Sequence, residues 1–218
     1  MKGLLLKDLY IIRGFEKHYG LILALILFVS LVMQDLSIVA MYLVIVSSML
    51  VISTLSIDET VHFDKWVLTT PAGAKNLARE KYVLLVLTMG AGFIMGLLVN
   101  WISGLLFHAE NFTRGIDSLL APILMFTIGY AVMLPASFKM GIEKARYVLM
   151  VTMFGMSGIM VGWFKMYMLS DSVLLKNAAD SLLMQNESFR ILSIIGICML
   201  LLTISYRISL RIIRNRDW

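Results

Sequence analysis

Six apolar runs, at about residues 19–33, 36–57, 82–107, 119–138, 147–164 and 191–206, set the terms on which this chain folds. Each is close to the roughly 20 residues that an α-helix needs to cross a hydrocarbon core. Helices satisfy their backbone polar groups internally, which lipid demands. Composition agrees: 60% of the 218 residues are hydrophobic and 15% are charged, against about 45–50% and about 25% in a soluble domain. Too few charges remain to cover a water-facing surface. The reading is an all-α integral membrane protein, with residues 1–218 forming one transmembrane domain of six helices and no soluble catalytic domain.

Lys and Arg fix the expected orientation, because they concentrate on the cytoplasmic side. Four lie before the first run (Lys2, Lys7, Arg13, Lys17) and four in the loop 58–81 (Lys65, Lys75, Arg79, Lys81). Three follow the fourth run (Lys139, Lys144, Arg146) and four end the chain (Arg207, Arg211, Arg214, Arg216). Only Arg114, Lys165, Lys176 and Arg190 fall on the other side. Both termini are therefore expected in the cytoplasm of a cell (plasma) membrane protein. The net charge of +5 reflects this topology rather than nucleic-acid binding. No small-x-small cleavage site follows the first run, so that run reads as a retained span.

Two segments outside the spans stay partly apolar. Residues 1–17 mix Leu4, Leu5, Leu6, Leu9, Ile11 and Ile12 with Lys7, Asp8 and Arg13, which fits an interfacial helix. Residues 172–184 carry Leu174, Leu175, Ala178, Ala179, Leu182 and Leu183 at helical spacing; they read as a short amphipathic outer helix or an ordered loop.

Several chemistries are excluded or disfavoured. Cys198 is the single cysteine, so there is no internal disulfide and no Cys-based zinc site. Asp35, Asp58, Glu59, Glu110, Asp117 and Glu143 fall in loops or at span ends, whereas proton-coupled carriers place ionisable groups within the membrane. No G-x-x-x-x-G-K-[ST] occurs, so ATP has no P-loop here. If ATP powers transport, another chain must hold it.

Small residues pair in two spans: Gly92 with Gly96, and Gly158 with Gly162. Glycine lets helix backbones approach closely, either within the chain or across a dimer seam. Pro122 and Pro135 bracket the fourth run and free helical carbonyls; Pro135 marks a hinge or a span boundary. Of the 17 methionines, many crowd the fourth and fifth spans. Met suits a cavity for varied apolar cargo as well as ordinary core or lipid-facing positions. The loop 58–81 (DETVHFDKWVLTTPAGAKNLAREK) begins acidic and ends basic, an order that complements a helix macrodipole. With Trp66 amid the charges it reads as a docking surface or as a solvated loop with an interfacial Trp.

Short motifs along the chain resemble those of the ABC-2 type permeases, the small six-span membrane subunits of bacterial exporters. The opening MKGLLLKDLY carries Lys7-Asp8-Leu9. After the second span come Asp58-Glu59, Trp66, Thr70-Pro71 and Lys81-Tyr82 in the family's order. After the fourth, Leu134-Pro135 leads into Phe138-Lys139-Met140-Gly141-Ile142-Glu143-Lys144-Ala145-Arg146. Thr70 and Met140 stand where the family usually has Leu and Phe.

The resemblance implies a permease subunit that binds no cofactor and performs no bond chemistry. Two copies of a separate ATPase subunit, holding ATP and Mg, would dock on a coupling helix after the second span. The implied docking residues are Asp58, Glu59, Asp64, Trp66, Pro71, Lys75, Arg79 and Lys81, with Lys139, Glu143, Lys144 and Arg146 as a second loop. A second permease chain, as homo- or heterodimer, would complete the exporter within the lipid bilayer. Similar subunits serve the exporter of phenol-soluble modulins, so the implied cargo is an amphipathic or hydrophobic peptide, a toxin or antimicrobial peptide. The alternatives are a non-transporting membrane scaffold or sensor, and an ion-coupled carrier.

Overall fold

The computed structural model describes residues 2–14, 16–33, 35–63, 67, 73–106, 110–169 and 187–215. Its helices are α1 (Lys2–Gly14), α2 (Glu16–Met33), α3 (Ser37–Thr60), α4 (Gly73–Leu106), α5 (Glu110–Met140), α6 (Ile142–Leu169) and α7 (Glu187–Arg214). No strand occurs among the described residues. Helices α3 to α7 are each long and apolar enough to cross a membrane; α1 and α2, bent by 58° between Gly3–Gly14 and Tyr19–Met33, reach that length as a pair. The chain is an all-α, multi-pass membrane protein. The outer helix expected at 172–184 lies outside the described residues.

The helices run past their apolar stretches into the expected loops. α3 continues to Thr60 and α4 begins at Gly73, so half of 58–81 extends the two flanking spans. α3 stops where His62 takes a positive φ of 51°, its N–H donating to the Glu59 carbonyl. Of the expected coupling helix, Val61, His62, Phe63 and Val67 are described between these ends, the first two in a turn and the last two helical. At the opposite turn, Asp35 accepts the Ser37 N–H at 2.8 Å and starts α3.

α5 sits at the centre and packs on α3, α4, α6 and α7. The main core joins Val51 and Leu55 of α3, Leu85 and Met89 of α4, and Tyr130, Met133 and Leu134 of α5 to Ala145 and Leu149 of α6 and Leu202 of α7. Both prolines lie inside α5 rather than at its ends. Pro135 has no N–H for the carbonyl one turn back, that of Ala131. Ser205 of α7 supplies the missing donor, its hydroxyl bonding the Ala131 carbonyl at 2.6 Å. Ser205 in turn accepts from the Tyr82 hydroxyl, which meets Ser209 at 2.9 Å. A directed chain, Ser209 to Tyr82 to Ser205 to Ala131, thus ties α7 and α4 to the proline turn of α5.

The two glycine pairs have different fates. A Cβ on Gly92 would collide with Ser47 Oγ, and one on Gly96 would lie 3.2 Å from the Ala40 carbonyl. That pair therefore lets α4 lie directly on α3, as the packing reading expects. At Gly158 and Gly162 nothing among the described residues lies within 4 Å of a Cβ, so this pair makes no close approach within the chain and the dimer-seam alternative stays open. Their stretch of α6 turns away from the bundle, with Phe154, Ile159 and Met160 exposed.

Candidate functional site

The basic end of the bundle gathers most of the residues singled out in the sequence. A second apolar cluster lies there, built from Val67, Leu77 and Ala78 with Phe138 of α5 and Ile213 of α7, and flanked by Leu4 of α1 and Phe63. It binds the start of the chain, the α3–α4 connection and the ends of α5 and α7 into one platform.

Beside it lies a buried ionic chamber. Lys81 Nζ lies 2.8 Å from Oδ2 of Asp8 and 2.5 Å from Oδ2 of Asp58. Lys7 donates to Oδ1 of Asp58 and stands 3.8 Å above the Phe63 ring. Asp8, Asp58, Glu80 and Lys81 are at most 1% exposed, while Lys7 is 26% exposed at the lip. A buried ion cluster is weak evidence for net stability, because desolvation offsets much of the Coulomb gain. Its geometric effect is definite: α1, α3 and α4 are held in one register.

A second device joins the two loops expected to dock a partner. α5 ends and α6 begins across the single residue Gly141, at a φ of 86°. Its N–H donates to the Ser137 carbonyl at 2.9 Å, closing α5. Glu59, from the end of α3, accepts the Ile142 N–H at 2.5 Å and so caps α6. A carboxylate is favoured at a helix N-terminus, where unpaired N–H groups and the macrodipole converge. Gly141 also makes room for it, since a Cβ there would sit 2.6 Å from Glu59 Oε1.

A family model described as "ABC-2 family transporter protein" matches residues 3–214, nearly the whole chain. The chain belongs to this family. Comparison with curated proteins and with solved structures found no match. As an ABC-2 family transporter protein it is a permease subunit, the transmembrane component of an ABC transporter, a system whose ATPase is a partner subunit.

Within this ABC-2 permease, the residues named from the sequence divide four ways. Lys75, Arg79, Lys139, Glu143, Lys144 and Arg146 are exposed at the basic end. Asp58 and Lys81 are instead turned inward, at 1% and 0% exposure, so they brace the platform from beneath and offer a partner no surface. Glu59 is engaged with α6. Asp64, Trp66 and Pro71 lie outside the described residues.

Sequence reasoning did not single out Glu80 as a site residue. It noted Asp8 only as a charge of the interfacial segment 1–17 and within the opening motif. A sign was available: Glu80 sits on α4 between Ala78 and Leu84, where buried positions recur at helical spacing, so it reads as an acid on a buried face. The Tyr82–Ser205 pairing crosses 123 residues and left no sequence signal.

Proposed function

We propose that this chain is the permease subunit of an ATP-driven exporter, taking its energy from an ATPase that docks on the basic end. The observation that carries the reading is the Glu59–Ile142 link. It joins the connection after α3 to the turn between α5 and α6, the two segments that the sequence singles out for docking. A push on either segment is thereby passed to α3 and α6 together. The exposed Lys139, Glu143, Lys144 and Arg146 surround this link and supply charges for a partner surface. Lys and Arg enrichment at this end supports a cytoplasmic position, where ATP is available.

The proposed cargo is an amphipathic or hydrophobic peptide. An apolar groove of about 340 Å3 opens between α4 and α7, lined by Tyr82, Val86, Met199, Leu202 and Tyr206, with Arg79 at its basic end. Such a groove takes an apolar helix face and leaves a cationic group for an acidic one. Two such chains, identical or different, with two ATPase chains would form the working unit.

Co-expression with the cognate ATPase tests this. A complex should survive detergent extraction, and its ATPase rate should respond to peptide. Lys144→Glu with Arg146→Glu, alone and with Trp66→Ala, should release the ATPase while the permease still inserts and keeps its thermal stability. Full co-purification of the triple variant places docking elsewhere. If the native chain captures no ATPase, a scaffold or sensor role takes the exporter's place.

A further inference from the structure

The charges in the buried chamber do not balance. Two ammonium groups, Lys7 and Lys81, face three carboxyl groups, Asp8, Asp58 and Glu80. Asp58 is satisfied on both oxygens, by Lys7 and by Lys81. Asp8 Oδ2 is satisfied by Lys81. Three buried oxygens then have no hydrogen bond: Oδ1 of Asp8 and both oxygens of Glu80. Lys7 Nζ comes within 3.3 Å of Asp8 Oδ1, but outside hydrogen-bond geometry. Lys81 Nζ is 4.0 Å from Glu80 Oε1, too far for a hydrogen bond.

The orphaned groups belong together. The Glu80 carboxyl is within hydrogen-bonding reach of Asp8, and both side chains are 0% exposed. Two ionised carboxylates placed so repel each other and only accept, so neither can satisfy the other. One proton changes this. A protonated Glu80 donates its O–H to Asp8 Oδ1, removes the surplus negative charge, and leaves a neutral set of two cations and two anions. Among the described residues no other charge enters to do this work: Arg79 is exposed on α4, the α7 arginines 207, 211 and 214 are exposed, and Glu59 on α3 is bound to α6.

We infer that the chamber is a proton-binding site, in which Glu80 binds a proton and donates it to Asp8, adding a second tie between α1 and α4. Glu80 is a positioning residue. It touches neither cargo nor nucleotide, and this inference stands whether or not the docking reading above holds. When alkaline conditions remove the proton, the chamber gains a buried negative charge and the hold of α1 on α4 is reduced to the Asp8–Lys81 pair.

Infrared difference spectroscopy on the full chain in lipid nanodiscs reads this directly. At neutral pH the native protein should show the carbonyl stretch of a protonated carboxyl, and Glu80→Gln should abolish it. Asp8→Asn should also remove it, because Glu80 then balances the remaining charges as a carboxylate. Glu80→Gln keeps a donor for Asp8. It should therefore match native thermal stability at neutral pH and lose the decline in stability that the native chain shows as pH rises. Glu80→Ala should be destabilised at both pH values. The inference is overturned if the native chain has no protonated carboxyl that Glu80→Gln removes. It is equally overturned if Glu80→Gln is as unstable as Glu80→Ala at neutral pH.

Discussion

The proline turn of α5 offers a sharp test of how the bundle is held. Ser205→Ala removes the donor that serves the Ala131 carbonyl and the acceptor that serves Tyr82. Tyr82 keeps Ser209 as a partner, so its loss is partial. The Ala131 carbonyl is left bare, because Pro135 cannot donate to it. Interhelical hydrogen bonds in membrane proteins average about 0.6 kcal/mol and reach about 1.7 kcal/mol. With two bonds lost and one carbonyl orphaned, the expected cost is about 1.5 kcal/mol. Pro135→Ala returns a backbone N–H to α5 and gives Ala131 its ordinary helical partner. In that background Ser205→Ala should cost only about 0.5 kcal/mol, the part owed to Tyr82. The coupling is then about 1 kcal/mol, measurable as a double-mutant cycle by reversible unfolding in mixed micelles. If the two substitutions add to within about 0.3 kcal/mol, Ser205 is not standing in for the missing proline N–H and the reasoning fails.

Gly92→Ala should destabilise the isolated chain by about 1–3 kcal/mol, since the new Cβ would approach Ser47 Cβ to 2.7 Å and force α4 off α3; Gly158→Ala should change it by less than about 0.5 kcal/mol, read in the same unfolding assay. Gly141→Ala combines a strained φ of 86° with displacement of Glu59, so it should cost about 1–3 kcal/mol and weaken ATPase co-purification more than stability loss alone explains. The Ser37 hydroxyl and backbone N–H hold the Asp35 carboxyl below its ordinary value of 3.8. A depressed carboxyl stabilises the fold above its unfolded value and loses that contribution as pH falls through the folded one, so Asp35→Asn should flatten the thermal-stability profile only in the acid range below about pH 4.

The fold class was legible because lipid leaves little choice: a run of about 20 apolar residues has to be a helix. Helix ends were less so. Hydropathy ends the second span near Ile57 and starts the third near Tyr82, yet α3 and α4 run into the loop between them, because the Lys81–Asp58 pair and the Leu77–Phe138 cluster bury polar and apolar positions together. The same burial is why composition could mark 58–81 as important and still not tell which charges face outward. Asp58 and Lys81 match the family's motif order and were grouped with the docking residues, but a motif does not distinguish a contact from its support. The glycine pairs carry the same lesson. Gly92–Gly96 and Gly158–Gly162 are identical in spacing, and only the neighbour across the helix separates a packed pair from an open one.

The single-residue turn at Gly141 has a mechanical consequence. α6 is gripped from Ile142 to Met153, by the Glu59 cap at its base and by Leu149 and Met153 against α5. From Phe154 to Gly162 most described side chains stand clear of the bundle. The helix is thus a cantilever, clamped at one end. The free arm from Met153 to Leu169 is about 24 Å long at 1.5 Å per residue, so a tilt of about 10° at the clamp carries its tip through about 4 Å. A small rotation delivered through Glu59 at the basic end is therefore magnified on the far side of the bilayer, by a helix arm that the other described residues leave largely clear.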